Sequence, residues 1–286
     1  MDNRTADKIK RNLHRPGVRA RAFFIKLLLS TFPGVGLLDR AFERNGFCVV
    51  RTPDLIFGGD IREFHSVPGK FAGVIGGSPC QDFSLKRRAK PTGYGVKMLR
   101  EFCRIVLESQ PDFFLLENVP NVPDIAVPGF IVQRFNLNAK ECGSRQNRLR
   151  CFQFGSRDGT PLIIVRTPPA PKLERCCLAS EHNDKDRRTF ADFCELQGLP
   201  RTFNLKSFHK SGKYTAVGNG VPLPLGLTVA RAIVSRKQNP GVKLCACLCG
   251  RIVTGKQVTA TPACRKRIER NRDKSRHGKR VLVTVN

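Results

Sequence analysis

Four short apolar runs punctuate the first 120 residues, at 23–29, 47–50, 73–75 and 113–116, and each has the length of a buried strand. Two stretches between them have helical spacing. Leu38, Ala41 and Phe42 share one face of 37–45, and Leu99, Phe102, Ile105 and Val106 share one face of 98–109. Gly46 stands where a helix stop is expected. This rhythm of strand, helix and strand predicts an α/β fold, a parallel sheet with helices on both faces. In such sheets ligands bind beyond the carboxyl ends of the strands, and the Gly- and Pro-rich breaks of this chain fall there.

The remainder of the chain divides by composition. Residues 1–22 form a polar, basic arm; 23–155 form the main domain. Residues 156–186 are rich in Pro and Arg, with one apolar stretch at 162–165, and are expected to be an insert outside the main core; 189–196 return to helical spacing, and 156–212 together are expected to form a short second region. Residues 213–238 read as a helix returning to the main domain, and Asn239-Pro-Gly241 as a linker to a basic, Cys-containing tail at 239–286. The 51 Lys and Arg outnumber 23 Asp and Glu, a formal net charge of +28 that implies a polyanionic partner and favours nucleic acid over a membrane surface. The apolar run at 22–29 superficially resembles a signal peptide, but Lys26 interrupts it and no small-residue cleavage site follows. No stretch reads as a membrane span of roughly 20 apolar residues. A cytoplasmic, monomeric protein is expected. Of the 12 cysteines, eight are scattered through apolar or mixed segments, as small buried side chains are in a reducing compartment.

Five segments carry candidate chemistry. Phe32-Pro-Gly-Val-Gly36, between a strand and a helix, is either a cofactor loop or a structural turn. Gly76-Gly-Ser-Pro-Cys-Gln81 follows a strand and holds Cys80 rigidly, as an activated thiolate or as a buried loop cysteine. Leu115-Leu-Glu-Asn-Val-Pro120 runs a buried strand into Glu117, either an acid of raised pKa or half of an ion pair. In Arg145-Gln-Asn-Arg-Leu-Arg150, Arg148 and Arg150 project to the same side of an extended segment, which suits two cations aimed at one ligand and equally a solvated basic face. Gly218-Asn-Gly-Val-Pro222 opens the last helix, with Asn219 as a cap.

In this order the five segments resemble the motifs of the DNA (cytosine-5-)-methyltransferase family: Phe-x-Gly-x-Gly, Pro-Cys-Gln, Glu-Asn-Val, Gln-x-Arg-x-Arg and Gly-Asn-x-Val-Pro. Leu196-Gln-Gly-Leu-Pro200 is similar to the family segment that precedes the last of them, so the resemblance covers about residues 23–236. It implies a Rossmann-like sheet that binds S-adenosylmethionine, acts on double-stranded DNA and in many relatives belongs to a restriction–modification pair. It further implies that Cys80 adds to C6 of a flipped-out cytosine, Glu117 holds the N3 edge, Arg150 reaches O2 and Arg148 supports the loop. For the cofactor it implies Phe32 against the adenine, Asp60 at the adenine amino group, Asp54 at the ribose, and Gly34, Gly36, Pro79 and Asn219 around them. The chain departs from the family at Ser30, where Asp is usual, at Leu37, where a second Gly is usual, and at Ser78, where Pro is usual. The region between Arg150 and Arg187, long in relatives, is here roughly 35 residues, too short for a large core of its own.

Cys245, Cys247, Cys249 and Cys264 lie in one short basic segment that resembles, loosely, small zinc-ribbon tails; four thiolates would suit tetrahedral zinc, and free thiols are the other reading. Two other functions compete with methyl transfer to DNA: a DNA-binding or regulatory protein on a degenerate methyltransferase scaffold, and an RNA methyltransferase of related chemistry.

Overall fold

The computed structural model describes residues 26–85, 90–236, 245–247, 251, 253–276 and 282–283, with the backbone alone at 267, 271–276 and 282. The basic arm at 1–22, the start of the first predicted strand and Cys249 lie outside the described residues. Four strands run parallel in the order β2-β1-β3-β4: β1 (Lys26–Thr31), β2 (Phe47–Arg51), β3 (Gly73–Gly76) and β4 (Phe113–Asn118). Alternation along β1 sends Leu28 to one face and Leu29 to the other. Leu28 meets Leu38 and Phe42 of α1 (Leu37–Glu43). Leu29 meets Met98, Phe102 and Val106 of α2 (Tyr94–Ser109). Each such fully buried side chain contributes about 1.5–3 kcal/mol by leaving water, and β3 and β4 are buried along their whole length because helices cover both faces.

The sheet is mixed, not purely parallel. Beyond β4 and a two-residue strand β5 (Asp124–Ile125), β6 (Ile131–Asn138) and β7 (Leu149–Ser156) form a hairpin that adds antiparallel, in the order β4-β7-β6. The segment Ile-Val-Gln-Arg-Phe-Asn-Leu-Asn of β6 hides its strand character behind polar residues, and the structure shows what they do. Gln133 donates to Leu162 O (3.1 Å) and accepts from Leu162 N–H (2.7 Å). That side chain ties Leu162 to β6, and Leu162 and Ile164 are buried in the main cluster, which corrects the expectation of an insert outside the core.

The remaining helices are α3 (Phe190–Leu196), α4 (Lys210–Asn219), α5 (Leu223–Ser235) and α6 (Pro262–Arg276). The boundary expected at 212/213 falls inside α4, and α5 opens just after 218–222, where the last helix is expected to begin. The stretch 210–235 is long and apolar enough to cross a membrane by length and composition, contrary to the sequence reading. Its α5 side chains Leu225, Val229, Ala230 and Ile233 are instead core residues against the β1–β4 face that carries α1. A satellite cluster of Leu37, Cys177, Phe193, Leu199, Tyr214 and Val217 fastens 177–217 to the start of α1. In the tail, a final short strand β8 (Leu282–Val283) pairs parallel with β5.

Candidate active site

A cavity of about 900 Å³ opens beyond the carboxyl ends of β1, β3 and β4, the position expected for ligands of such a sheet. Phe32, Gly34, Pro79, Cys80, Glu117 and Arg150 line its sheet side, and His182, Phe208, Thr215 and Asn219 the opposite side. Of the residues singled out from the sequence, Cys80, Glu117, Arg150, Phe32, Gly34, Asp54, Pro79 and Asn219 come together here; Arg148, Gly36 and Asp60 are not part of the lining.

The loop after β1 is held in an unusual conformation. Phe32 has φ 52°, in the left-handed region that a bulky residue rarely adopts. Asp54 braces the loop: its Oδ2 accepts from Gly34 N–H at 2.9 Å and its Oδ1 from Ile56 N–H at 2.9 Å. Gly36 serves a different purpose from the one expected. It caps α1 with φ 75°, and a Cβ there would lie 2.6 Å from Arg51 Nη2. The space it leaves admits the Arg51 guanidinium, which donates to the buried Asp39 at 2.7 Å. Ser30 Oγ donates to the other Asp39 oxygen at 2.6 Å. A carboxylate from the first turn of α1 therefore stands beside position 30, bonded to Ser30 and Arg51, an adjacency that the spacing of 30 and 39 does not mark. Burial pushes the Asp39 carboxyl up, opposed by the bonds from Ser30 and Arg51.

Asp60 is turned away from the cavity. Its carboxylate is chelated by Arg62, with Nε–Oδ1 3.0 Å and Nε–Oδ2 2.9 Å, and this bonding holds its pKa down to about 2. Asp60 is thus engaged by the neighbouring guanidinium and is not among the residues that line the cavity.

Cys80 follows Pro79 with φ −100° and ψ −2°, the sparsely populated bridge region where active-site residues are often found. The loop is anchored on both sides. Ser78 accepts from Asn118 Nδ2 through its carbonyl (2.9 Å) and its hydroxyl (3.0 Å), which fixes the Cys80 loop to the end of β4 and accounts for Ser at that position. Downstream, the Asp82 carboxylate accepts from Thr92 N–H (3.1 Å), Thr92 Oγ1 (3.2 Å) and Gly95 N–H (2.9 Å), tying the loop to the start of α2.

Glu117 ends β4 and is paired with Arg150 Nε at 3.0 Å. Burial raises its carboxyl above the usual range; Arg150 and then Arg148 pull against that rise and do not cancel it. Burial likewise pushes the Cys80 thiol up, the Glu117 charge adds to the push, and Arg150 and Arg148 oppose it. The site thus favours the proton-bearing forms of both groups, with burial outweighing the two nearby cations.

Arg148 and Arg150 divide their work. Arg150 faces the cavity. The buried Arg148 guanidinium instead donates to Cys177 O (2.6 Å), Gly218 O (2.6 Å) and Gly220 O (3.2 Å). Of the two arginines expected to face one ligand, only Arg150 lines the cavity, while the Nη atoms of Arg148 are spent on three main-chain carbonyls. Two glutamines, unassigned from the sequence, complete this seam. Gln146 Nε2 donates to Leu196 O (2.6 Å) and Gln197 Oε1 (2.9 Å), and Gln197 Nε2 donates to Val217 O (2.6 Å). Leu37 explains the remaining departure. It is buried beside Gly220, where a Cβ would come within 2.7 Å of its Cδ2, so a large residue at 37 is matched by none at 220.

Away from the cavity, the sulfurs of Cys245, Cys247 and Cys264 lie within 4.8 Å of one another, a group that could hold a metal ion.

Residues 56–125 match the family model described as C-5 cytosine-specific DNA methylase. The type II methyltransferase M.FnuDI of Fusobacterium nucleatum is 34% identical over 59% of this chain and 61% of its own length. M.NgoPII of Neisseria gonorrhoeae is 31% identical over 58% of this chain and 55% of its own. The chain therefore spans about three fifths or less of the length of these relatives. Two solved structures share the fold: a prophage-encoded DNA modification methyltransferase from E. coli (TM-score 0.54, 15% identity, 75% of this chain and 100% of that one) and the Entamoeba histolytica methyltransferase EhMeth (TM-score 0.52, 10% identity, 75% and 99%). Cys80 and Glu117 both lie within the segment that matches the C-5 cytosine-specific DNA methylase model.

Proposed function

We propose that this protein is a DNA (cytosine-5-)-methyltransferase that transfers a methyl group from S-adenosylmethionine to cytosine C5 in duplex DNA. The observation that carries the reading is the juxtaposition of Cys80, Glu117 and Arg150 on one wall of a cavity of about 900 Å³, ample for a cofactor and an extrahelical base together. The strongly basic composition suits the phosphates of DNA, and such an enzyme works in the cytoplasm beside its substrate.

The cavity fits the cofactor in its materials. The Phe32 ring, the apolar Leu55 and Ile61 and the braced Gly34 backbone offer a flat, largely apolar berth, with Asp54 at its edge as acceptor. When bound, S-adenosylmethionine supplies an electrophilic methyl on a sulfonium. The residues of the chain do the rest. Cys80 loses its proton and its sulfur bonds to C6; the C5–C6 pair of electrons is thereby made available at C5. Glu117, protonated more readily than an exposed glutamate, donates at N3, so that charge does not accumulate on the ring. Arg150 holds Glu117 in place and lies where the O2 edge would come. C5 would take the methyl group, the sulfonium sulfur keeping the S–C bond pair and leaving as a neutral thioether; C5 then loses its proton to water, the electrons of that C–H bond restore the C5–C6 double bond as the C6–S bond breaks, Cys80 departs as a thiolate, and N3 returns its proton to Glu117.

Duplex DNA containing 5-fluorocytosine tests the reading, since fluorine cannot leave as the proton does. With radiolabelled S-adenosylmethionine the parent protein should form a denaturant-stable, labelled adduct, and Cys80→Ser should form none. Retained DNA binding without an adduct, over a range of sequences, would leave the scaffold as a DNA-binding protein.

A further inference from the structure

We propose that Cys245, Cys247 and Cys264 bind one Zn²⁺ ion as thiolates, and that this ion fastens the basic helix α6 to the face of the sheet opposite α2. Tetrahedral zinc with Zn–S bonds of about 2.3 Å holds its sulfurs about 3.8 Å apart. The three described sulfurs all lie within 4.8 Å of one another, with Cys245 and Cys247 at 3.4 Å. That separation is far from the S–S bond of about 2.05 Å, so the cluster is not a disulfide.

The groups around the sulfurs are those that stabilise thiolates. Ala260 N–H donates to Cys245 Sγ (3.2 Å), Thr261 Oγ1 to Cys264 Sγ (3.1 Å), and the Arg251 guanidinium lies 3.8 Å from Cys264 Sγ. Such outer hydrogen bonds accompany metal-bound ligands as a rule. Three sulfurs from positions nearly twenty residues apart have been drawn to one buried point.

The site also has a mechanical consequence. Cys245, Cys247, Val253 and Cys264 join the core cluster that holds Leu225, Val229 and Ile233 of α5, and Ile268 of α6 packs against it. Arg251 reaches Glu141 at 3.2 Å, adding an ion pair to the body of the protein. Cys264 lies in the first turn of α6, and the next residues, Arg265, Lys266 and Arg270, are exposed. Apart from these few contacts the segment has little apolar surface to bury, and a cross-link through a metal replaces a core of its own.

The test is metal content of the full chain, purified under reducing conditions without added chelator. One zinc per chain is expected, retained in Cys48→Ser, which changes an exposed cysteine elsewhere, and lost in Cys245→Ser and Cys264→Ser. Cobalt exchanged into the parent protein, with no variant involved, should give thiolate-to-metal charge transfer and the visible bands of a tetrahedral site. Chelation should then speed trypsin cleavage within 245–276 while the body resists. A reduced parent that takes up neither zinc nor cobalt overturns the proposal, as does a Cys264→Ser protein with full zinc. Cleavage unchanged on metal removal overturns the fastening role. None of these readings depends on methyl transfer.

Discussion

The two walls of the cavity are built on different principles. The sheet wall sets Phe32, Cys80 and Glu117 at the ends of parallel strands whose side chains are buried on both faces, so its geometry is fixed by backbone ladders and core. The opposite wall, from His182 to Asn219, has only a small cluster of its own and is sewn on by Gln146, Arg148 and Gln197, whose side chains bond to main-chain carbonyls. Chemistry needs groups held closely in place, and the sheet provides that. A wall joined by a handful of buried polar bonds is easier to alter without disturbing the core. It is also more vulnerable, because each bond left half-made strands a buried acceptor.

This contrast can be broken by experiment. On the sheet wall, Glu117→Gln should lower methyl transfer about 10²–10⁴-fold, the usual weight of a positioned acid, while the unfolding midpoint in urea stays within a small margin. Equal loss of stability and rate would mean that Glu117 is chiefly structural. On the opposite wall, Arg148→Met should leave the carbonyls of Cys177, Gly218 and Gly220 without their donor and cost about 3 kcal/mol. Urea unfolding monitored by circular dichroism reads this directly, and a midpoint equal to the parent's would show that the seam is not held by Arg148.

A smaller effect concerns the contact between the walls. Leu37→Ala should open a cavity and Gly220→Ala should overpack against Leu37. The double variant should be more stable than the sum of the two by about 1 kcal/mol; strict additivity would dissolve the pairing. Smallest is a shift in reactivity. Burial first and Glu117 second raise the Cys80 thiol, so alkylation by iodoacetamide should climb with pH through a midpoint above that of an ordinary cysteine. A negative neighbour disfavours the thiolate, so Glu117→Gln should move the midpoint down and hasten alkylation near neutral pH even as methyl transfer falls. A midpoint that stays or rises would remove Glu117 from the neighbourhood of the thiol.

The sheet wall was legible in the sequence because its signals are local. Cys80, Glu117 and Arg150 each follow or open a strand within a short motif, and their order along the chain is their order around the site. The opposite wall was not, since its signals are partnerships over long separations: Gln146 with Gln197, Gln133 with Leu162, Ser30 with Asp39. None has a spacing that marks it. At Asp60 the local pattern is legible and its partner is not: Arg62 two residues on bonds the carboxylate. β6 escaped because the polar side chains that should mark a solvent face are satisfied inside the protein.

The antiparallel attachment of β7 makes part of catalysis a matter of counting. Arg148 and Arg150 are separated by one residue, and Leu149 between them pairs with Asn138 across the hairpin. Sliding the strand by a single position exchanges its faces and would present Leu149 to Glu117 in place of either arginine. The buried carboxylate would then have no cation and the seam no donor at one stroke. Insertions or deletions of one residue between Gln146 and Arg150 should therefore be all-or-none lesions, tolerated far less than most substitutions in the same five positions.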